Sequence, residues 1–276
     1  MNNFHNSKTN YIESVIIKVK DLNKMLDFYL KIMKFEVIEE KDNLVSLGVN
    51  NKIFLTLEED KNAIKRDSEG LYHIAYLLKN LDDLASFINH LVKNKYPITG
   101  GADHLVSEAI YLDDIEGNGI EVYVDRDSVS WEFDNTEIVM DTLPIDIEKI
   151  MNRNIYEWKS FPHDAVVGHV HFSVRNLDGS LKYFRDVLGF DLLLEFRKRA
   201  LFFSDRKYHH HIGANTFSIN LKKREDNELG LVGYKLHIDK EREQELLDNL
   251  NKYDFKIINE DNKRYFKDIY NIKVYF

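Results

Sequence analysis

One stretch of this chain is written twice. Residues 15–35, VIIKVKDLNKMLDFYLKIMKF, align without a gap with residues 170–190, VHFSVRNLDGSLKYFRDVLGF. In the first copy YIESVIIKVK (11–20) reads as a strand. Asp21 stands as a helix N-cap, and Leu22, Met25, Leu26, Tyr29 and Met33 follow at helical spacing. Strands over 34–40, 44–49 and 52–58 complete a strand, helix, strand, strand, strand unit. GLYHIAYLL (70–78) opens a second unit, whose helix begins at Asp82 or Asp83 and runs through Leu84, Phe87, Ile88 and Leu91. The third unit begins with VVGHVHFSV (166–174), passes through a helix and adds strands in DLLLEF, RALFFSD and HHHIGANTFSINL. A shorter fourth unit has a strand in GLVGYKLHI (230–238), a helix over 240–252, and the segments FKIINE and RYFKDIYNIKVYF. Any fold for this chain therefore has to be assembled from four copies of one unit, and its class is α+β. The division that follows is 10–127 for the first two units and 166–276 for the last two. Residues 128–165 form a connector, with Trp131 and Trp158 as packing anchors and TLP (142–144) as a turn.

The second unit closes with DHLVSEAIYLDDIEGNGIEVY (103–123). Val106 to Leu112 reads as one strand and Ile120 to Tyr123 as the returning one, because GNG between apolar runs is a hairpin signal. Gly117, Asn118 and Gly119 are the residues free to take positive φ. Alternation puts Ile120 and Val122 on one face and Glu121 with Tyr123 on the other. A carboxylate in so apolar a strand is either solvated or paired. Which of the two it is depends on partners elsewhere in the chain.

Composition narrows what those partners can serve. A net charge of -9 leaves no basic stripe to neutralise phosphates, which excludes nucleic acid as a partner. Cysteine is absent, so disulfides and thiolate metal sites are excluded and any metal must be held by His, Asp or Glu. No stretch is long and apolar enough to cross a membrane. MNNFHNSKTN has no apolar run of the signal-peptide kind, and the expected location is the cytoplasm. A homo-oligomer is left open.

Four such units, carrying GLYHIAYLL, DHLVSEAIYLDDIEGNGIEVYVDR, MDTLPID, GHVHFSV and YHHHIGANTF, resemble the vicinal oxygen chelate superfamily. That superfamily comprises glyoxalases, bleomycin-resistance proteins and extradiol dioxygenases. The specific likeness is to its two-domain catechol 2,3-dioxygenase-like members, and it covers nearly the whole chain. The resemblance implies four βαβββ modules forming two half-barrel, glyoxalase-like domains, with two modules closing each cavity around a divalent metal. It also places ligands early in a module's first strand and in its last strand. Here those positions are Ser14, His73, His169 and Gly233 in first strands, and Glu121 and Lys273 in last strands of the second and fourth modules. His73, Glu121 and His169 are then the ligand set, a two-histidine, one-carboxylate facial triad of the kind that holds non-haem Fe(II), with Mn(II) as the other candidate. If modules pair in sequence, the set is split between two cavities. If the second pairs with the third, it converges.

The same likeness gives roles to further residues. Tyr111, ten positions ahead of Glu121, takes the place of a tyrosine that hydrogen-bonds the bound catecholate oxygen. HHIG resembles the element whose histidine assists proton transfer and dioxygen activation. With strand alternation this makes His210 the acid–base group, with His209 or His211 taking the role if the register slips by one. His104, His209 and His211 are expected to touch substrate. Two departures stand out: Ser14 and Ile16 replace histidines common in the first module of relatives, and Ile115 replaces the proline of a DPxGN turn. The function implied is an Fe(II)-dependent extradiol dioxygenase that cleaves a catechol- or hydroquinone-like aromatic with dioxygen. A bleomycin-resistance-type protein sequestering an aromatic ligand and a glyoxalase-type metal isomerase or lyase are the alternatives. The last of these wants a fourth protein ligand, often a second Glu.

Overall fold

The duplicated sequence carries a duplicated backbone irregularity. Helix Leu22–Phe28 starts at Asp21, whose carboxylate accepts the Lys24 N–H at 3.1 Å, and it loosens into a π-helical turn over Tyr29–Met33. Helix Leu177–Leu181 starts at Asn176 in the same way and loosens over Lys182–Val187. In the second module the helix is Leu81–Lys93, and its N-cap is Asn80 rather than Asp82 or Asp83. Asn80 accepts the Asp83 N–H, which leaves both aspartates in the first turn, where they oppose the positive end of the helix dipole. This computed structural model describes residues 4–260 and 262–276.

The modules do not pair in sequence. One sheet takes its strands from the first and fourth: Ile258–Glu260, Lys263–Lys267, Lys273–Tyr275, Gly230–His237, Tyr11–Val19, Lys52–Glu59, Leu44–Val49 and Glu36–Lys41, in spatial order. The other takes its strands from the second and third, with the connector strand Leu143–Pro144 added at one edge. Its order is Leu143–Pro144, Gly100–Asp103, Ser107–Asp113, Gly119–Asp125, Gly70–Leu78, Val166–Ser173, Ile212–Asn215, Ala200–Ser204 and Asp191–Phe196. Each seam is an antiparallel pair of module-opening strands, Tyr11–Val19 against Gly230–His237 and Gly70–Leu78 against Val166–Ser173. Helices and connector pack a large apolar core against these sheets. Trp158 wedges between Phe87 and Phe161, with ring centroids 5.2 and 5.5 Å away, and Trp131 stacks on Phe4; both tryptophans anchor the connector as their sequence context suggested. Burying such a ring stabilises by roughly 1.5–3 kcal/mol. No helix among the described residues is long and apolar enough to cross a membrane.

Three local expectations change. Gly117 alone in the GNG turn has positive φ, at 84°; Asn118 and Gly119 do not. The turn is held instead by Asp114, whose carboxylate accepts the Glu116 and Asn118 N–H groups. TLP is not a free turn: Leu143–Pro144 pairs with Ala102 and Asp103 at the sheet edge. His209, His210 and His211 precede the strand Ile212–Asn215 and lie in a loop, so strand alternation does not set their directions.

Candidate metal centre

Pairing the second module with the third lines up one row across the sheet. Tyr111 is opposite Glu121, Glu121 is opposite Ala75, and Ala75 is opposite His169. Opposed residues share a face, so Tyr111, Glu121 and His169 project to one side with Ala75 between the last two. His73, two residues before Ala75 on its strand, projects to that side as well. The small methyl of Ala75 leaves the space above it to the three larger side chains. Gly119 lets the strands close up: a Cβ there would lie 2.3 Å from the Tyr72 carbonyl oxygen and 3.1 Å from His73 Cβ. Gly168 has a similar duty, since a Cβ would lie 1.9 Å from the Tyr123 hydroxyl, whose ring packs on His169.

The result is a tight triangle. His73 Nε2 is 3.0 Å from Glu121 Oε2, His169 Nε2 is 3.4 Å from the same oxygen, and the two nitrogens are 3.3 Å apart. All three residues are buried. Ligands about 2.1 Å from a cation subtend an edge of about 3.0 Å on an octahedral face and about 3.4 Å on a tetrahedral one. The observed edges span that interval, so the three donors fit one face of a divalent cation's coordination shell and leave the opposite side to other ligands. Burial favours a proton on Glu121, but the charge and hydrogen bonds of His169 and His73 outweigh it and hold the carboxyl well below its usual range. Burial pushes His169 down to about 4 against the pull of Glu121, which leaves its imidazole neutral near pH 7. The equivalent positions in the other sheet hold Ser14, Gly233 and Lys273, which offer no such set.

Above the triangle lies a cavity of about 230 Å³. Its wall contains Tyr72, Phe196, Phe202 and Phe217, and no lysine or arginine among the described residues. Tyr111 and His104 both reach it. The His104 Nδ1–H donates to the Asp141 carbonyl at 2.9 Å, and its Nε2 meets the Tyr111 hydroxyl at 2.7 Å. Burial, then the charge of Glu121, raises the Tyr111 pKa well above 10, so it stays a phenol. His210 lines the cavity, its ring centroid 4.0 Å from that of His169. Burial, with His169 and His209 alongside, holds its pKa well below 6.5. His209 and His211 do not line it. His209 turns to Asp125, and His211 accepts the Asp205 N–H and reaches the Phe4 carbonyl. Hydrogen bonds, not alternation, sort the three neighbours.

Sequence reasoning overlooked part of the wall. His171 sits opposite His73 across the seam, lines the cavity and is held well below 6.5 by burial. Its spacing of two from His169 put it on the same face, which was a usable signal. Met140, Asp141 and Thr142 also line the cavity. They are carried there by the edge pairing of Leu143–Pro144 and by the Arg197–Asp141 ion pair of 2.6 Å, neither of which has a local sequence signature.

Comparison with known proteins agrees with this geometry. The family model described as "Glyoxalase/Bleomycin resistance protein/Dioxygenase superfamily" matches residues 11–122 and 166–273. The chain is 36% identical over 245 residues to a catechol-2,3-dioxygenase of Bacillus subtilis (strain 168), covering 86% of each protein. Among solved structures, a putative dioxygenase from Bacillus subtilis subsp. subtilis str. 168 superposes with a TM-score of 0.65 at 12% identity, over 97% of this chain and 84% of that one. Glyoxalase I from Zea mays superposes with a TM-score of 0.58 at 14% identity, over 97% of this chain and 92% of that one. At such identities the two structures speak for the fold alone.

Proposed function

The chain belongs to the glyoxalase/bleomycin resistance protein/dioxygenase superfamily, and within it we propose an Fe(II)-dependent extradiol dioxygenase that opens a catechol- or hydroquinone-like ring. The observation that carries the reading is the buried triangle of His73, Glu121 and His169 beneath an aromatic-walled cavity. Two imidazoles and one carboxylate with an open side are the donor set of non-haem Fe(II) oxygenases; Mn(II) suits the same ligands. Bound there, the metal supplies Lewis-acid and redox chemistry toward a vicinal diol and dioxygen.

The protein's own residues do the remaining work. His73, Glu121 and His169 hold the cation. Tyr111, kept protonated, gives its O–H to His104 Nε2 and accepts a hydrogen bond from a diol hydroxyl. His210, kept neutral, accepts a proton from the diol and returns one to the product. Phe196, Phe202, Phe217 and Tyr72 face the substrate ring and exclude water. The cavity lies below the usual ligand-site range of about 300–1,000 Å³, which suits a single aromatic ring. The glyoxalase-type alternative lacks its fourth ligand: among the described residues no second carboxylate joins the three donors. We read 10–127 and 166–276 as two duplicated domains whose middle modules jointly build this centre.

The test is direct. Protein loaded with Fe(II) under anaerobic conditions is given catechol, substituted catechols and hydroquinones in air. Ring opening beside the diol yields a conjugated yellow product with matching uptake of dioxygen. Tight binding of these aromatics with no colour and no uptake would favour the sequestering protein instead.

A further inference from the structure

We propose that Asp125 and His209 are positioning residues that fix the tautomer of His210, so that its Nε2 meets substrate as a bare nitrogen. The inference rests on the reading of His210 as the acid–base group and goes behind it, to a pair of side chains that touch neither substrate nor metal ligands by hydrogen bond. His209 Nε2 lies 2.8 Å from Asp125 Oδ1, and His209 Nδ1 lies 2.7 Å from His210 Nδ1. His209 is fully buried, wedged between Tyr208 at 4.1 Å and Trp131 at 5.3 Å between ring centroids. Asp125 Oδ1 also accepts the Tyr208 hydroxyl at 3.2 Å, a longer bond than the one to His209.

Proton counting along this line gives the direction. A carboxylate has no proton to donate, so His209 Nε2 must be the N–H. With a single ring proton, held on Nε2 by Asp125, His209 presents a bare Nδ1, which can only accept. The nitrogen facing it across 2.7 Å, His210 Nδ1, must therefore carry the proton. Of the two ring nitrogens of His210, Nε2 is left bare, and among the described residues it makes no hydrogen bond. A lone imidazole in such a wall could take either tautomer, and one of them offers no base. The Asp125–His209 pair removes that ambiguity before substrate arrives, in the way a buried aspartate orients the histidine of a hydrolase triad. His209, expected at the substrate, lies behind His210 instead.

The experiment uses protein labelled with ¹⁵N-histidine, loaded with diamagnetic Zn(II) for NMR and with Fe(II) for kinetics. In the wild type, His210 should show a protonated Nδ1 and a bare Nε2, with the opposite pattern at His209. In Asp125→Asn, whose amide can donate, that pattern should be lost. The kcat for catechol cleavage should fall about 10²-fold, with Fe(II) content and KM unchanged. Asp125→Glu should restore much of both. Because Asp125 also holds Tyr208, Tyr208→Phe serves as the structural control and should keep the wild-type tautomers and nearly the wild-type kcat. His209→Asn retains an acceptor toward His210 and should outperform His209→Leu. A protonated Nε2 on wild-type His210, an undiminished kcat in Asp125→Asn, or equal loss in Tyr208→Phe would each overturn the inference. If the wild type cleaves no catechol, the functional reading fails, and the tautomer pattern still decides the hydrogen-bond line on its own.

Discussion

Glu121 separates a metal ligand from a salt-bridge partner most cleanly at the scale of single residues. Without a cation it is a buried carboxylate shared by two histidines, so its loss costs some stability but leaves the fold standing. Glu121→Ala and His73→Ala should each take the protein from about one bound Fe(II) per chain to almost none, as read by elemental analysis, with the fold retained by circular dichroism. Full occupancy in either variant would show the ligand assignment to be wrong. His210→Ala should behave differently: metal retained, catechol affinity retained, and turnover slowed about 10²–10⁴-fold. Equal metal loss there would make His210 a ligand. The triad was legible because the repeats align, which placed His73 and His169 at one position of two modules. The roles of His209 and His211 were not legible, because adjacent identical residues in a loop are told apart only by distant partners, Asp125 for one and the Phe4 carbonyl for the other.

Among elements, the hairpin ending in Gly119–Asp125 sets the distance between Glu121 and His73. Its turn was legible from GNG, but the reason for the second glycine was not. Gly119 is needed because the Tyr72 carbonyl passes 2.3 Å from where a Cβ would stand. That is a fact about the neighbouring strand, and a single segment cannot announce it. Gly119→Ala must push the two strands apart. We expect a loss of about 1–3 kcal/mol of stability, as for other overpacked sites, together with weaker metal binding, because Glu121 moves away from His73. Denaturant unfolding and metal titration measure the two effects. A variant that unfolds earlier but binds Fe(II) as before would show that the hairpin is not what positions the carboxylate.

For the whole molecule, the repeat announced four modules but not their partners, since each module-opening strand could pair with any other. Only the need to converge three ligands favoured joining the second module to the third, and the Gly70–Leu78 and Val166–Ser173 seam supplies that join. The assembly also buries histidines in a way that makes stability depend on pH. Burial lowers His5 and His169 to about 4, and lowers His171, His210 and His211 well below 6.5. Between about 4 and 6.5 the unfolded chain binds more protons at these five groups, so stability rises with pH, by up to roughly 1.4 kcal/mol per group and pH unit. Asp268, raised by burial to about 7, acts in the opposite sense over this window, because there the folded state holds the extra proton; Asp83 and Asp114, also raised by burial, act in the same sense as Asp268. The five histidines outweigh these three carboxyls, and the melting temperature should fall between pH 7 and pH 5; a rise would mean these histidines are not buried as neutral groups. The measurement that reaches the central claim most directly is isotopic. Fe(II)-loaded protein turning over catechol under ¹⁸O₂ should give a ring-opened product that carries both oxygen atoms of one dioxygen molecule, and Glu121→Ala should give none. A product without label, or equal label from the Glu121→Ala protein, would contradict a ring-cleaving dioxygenase centred on His73, Glu121 and His169.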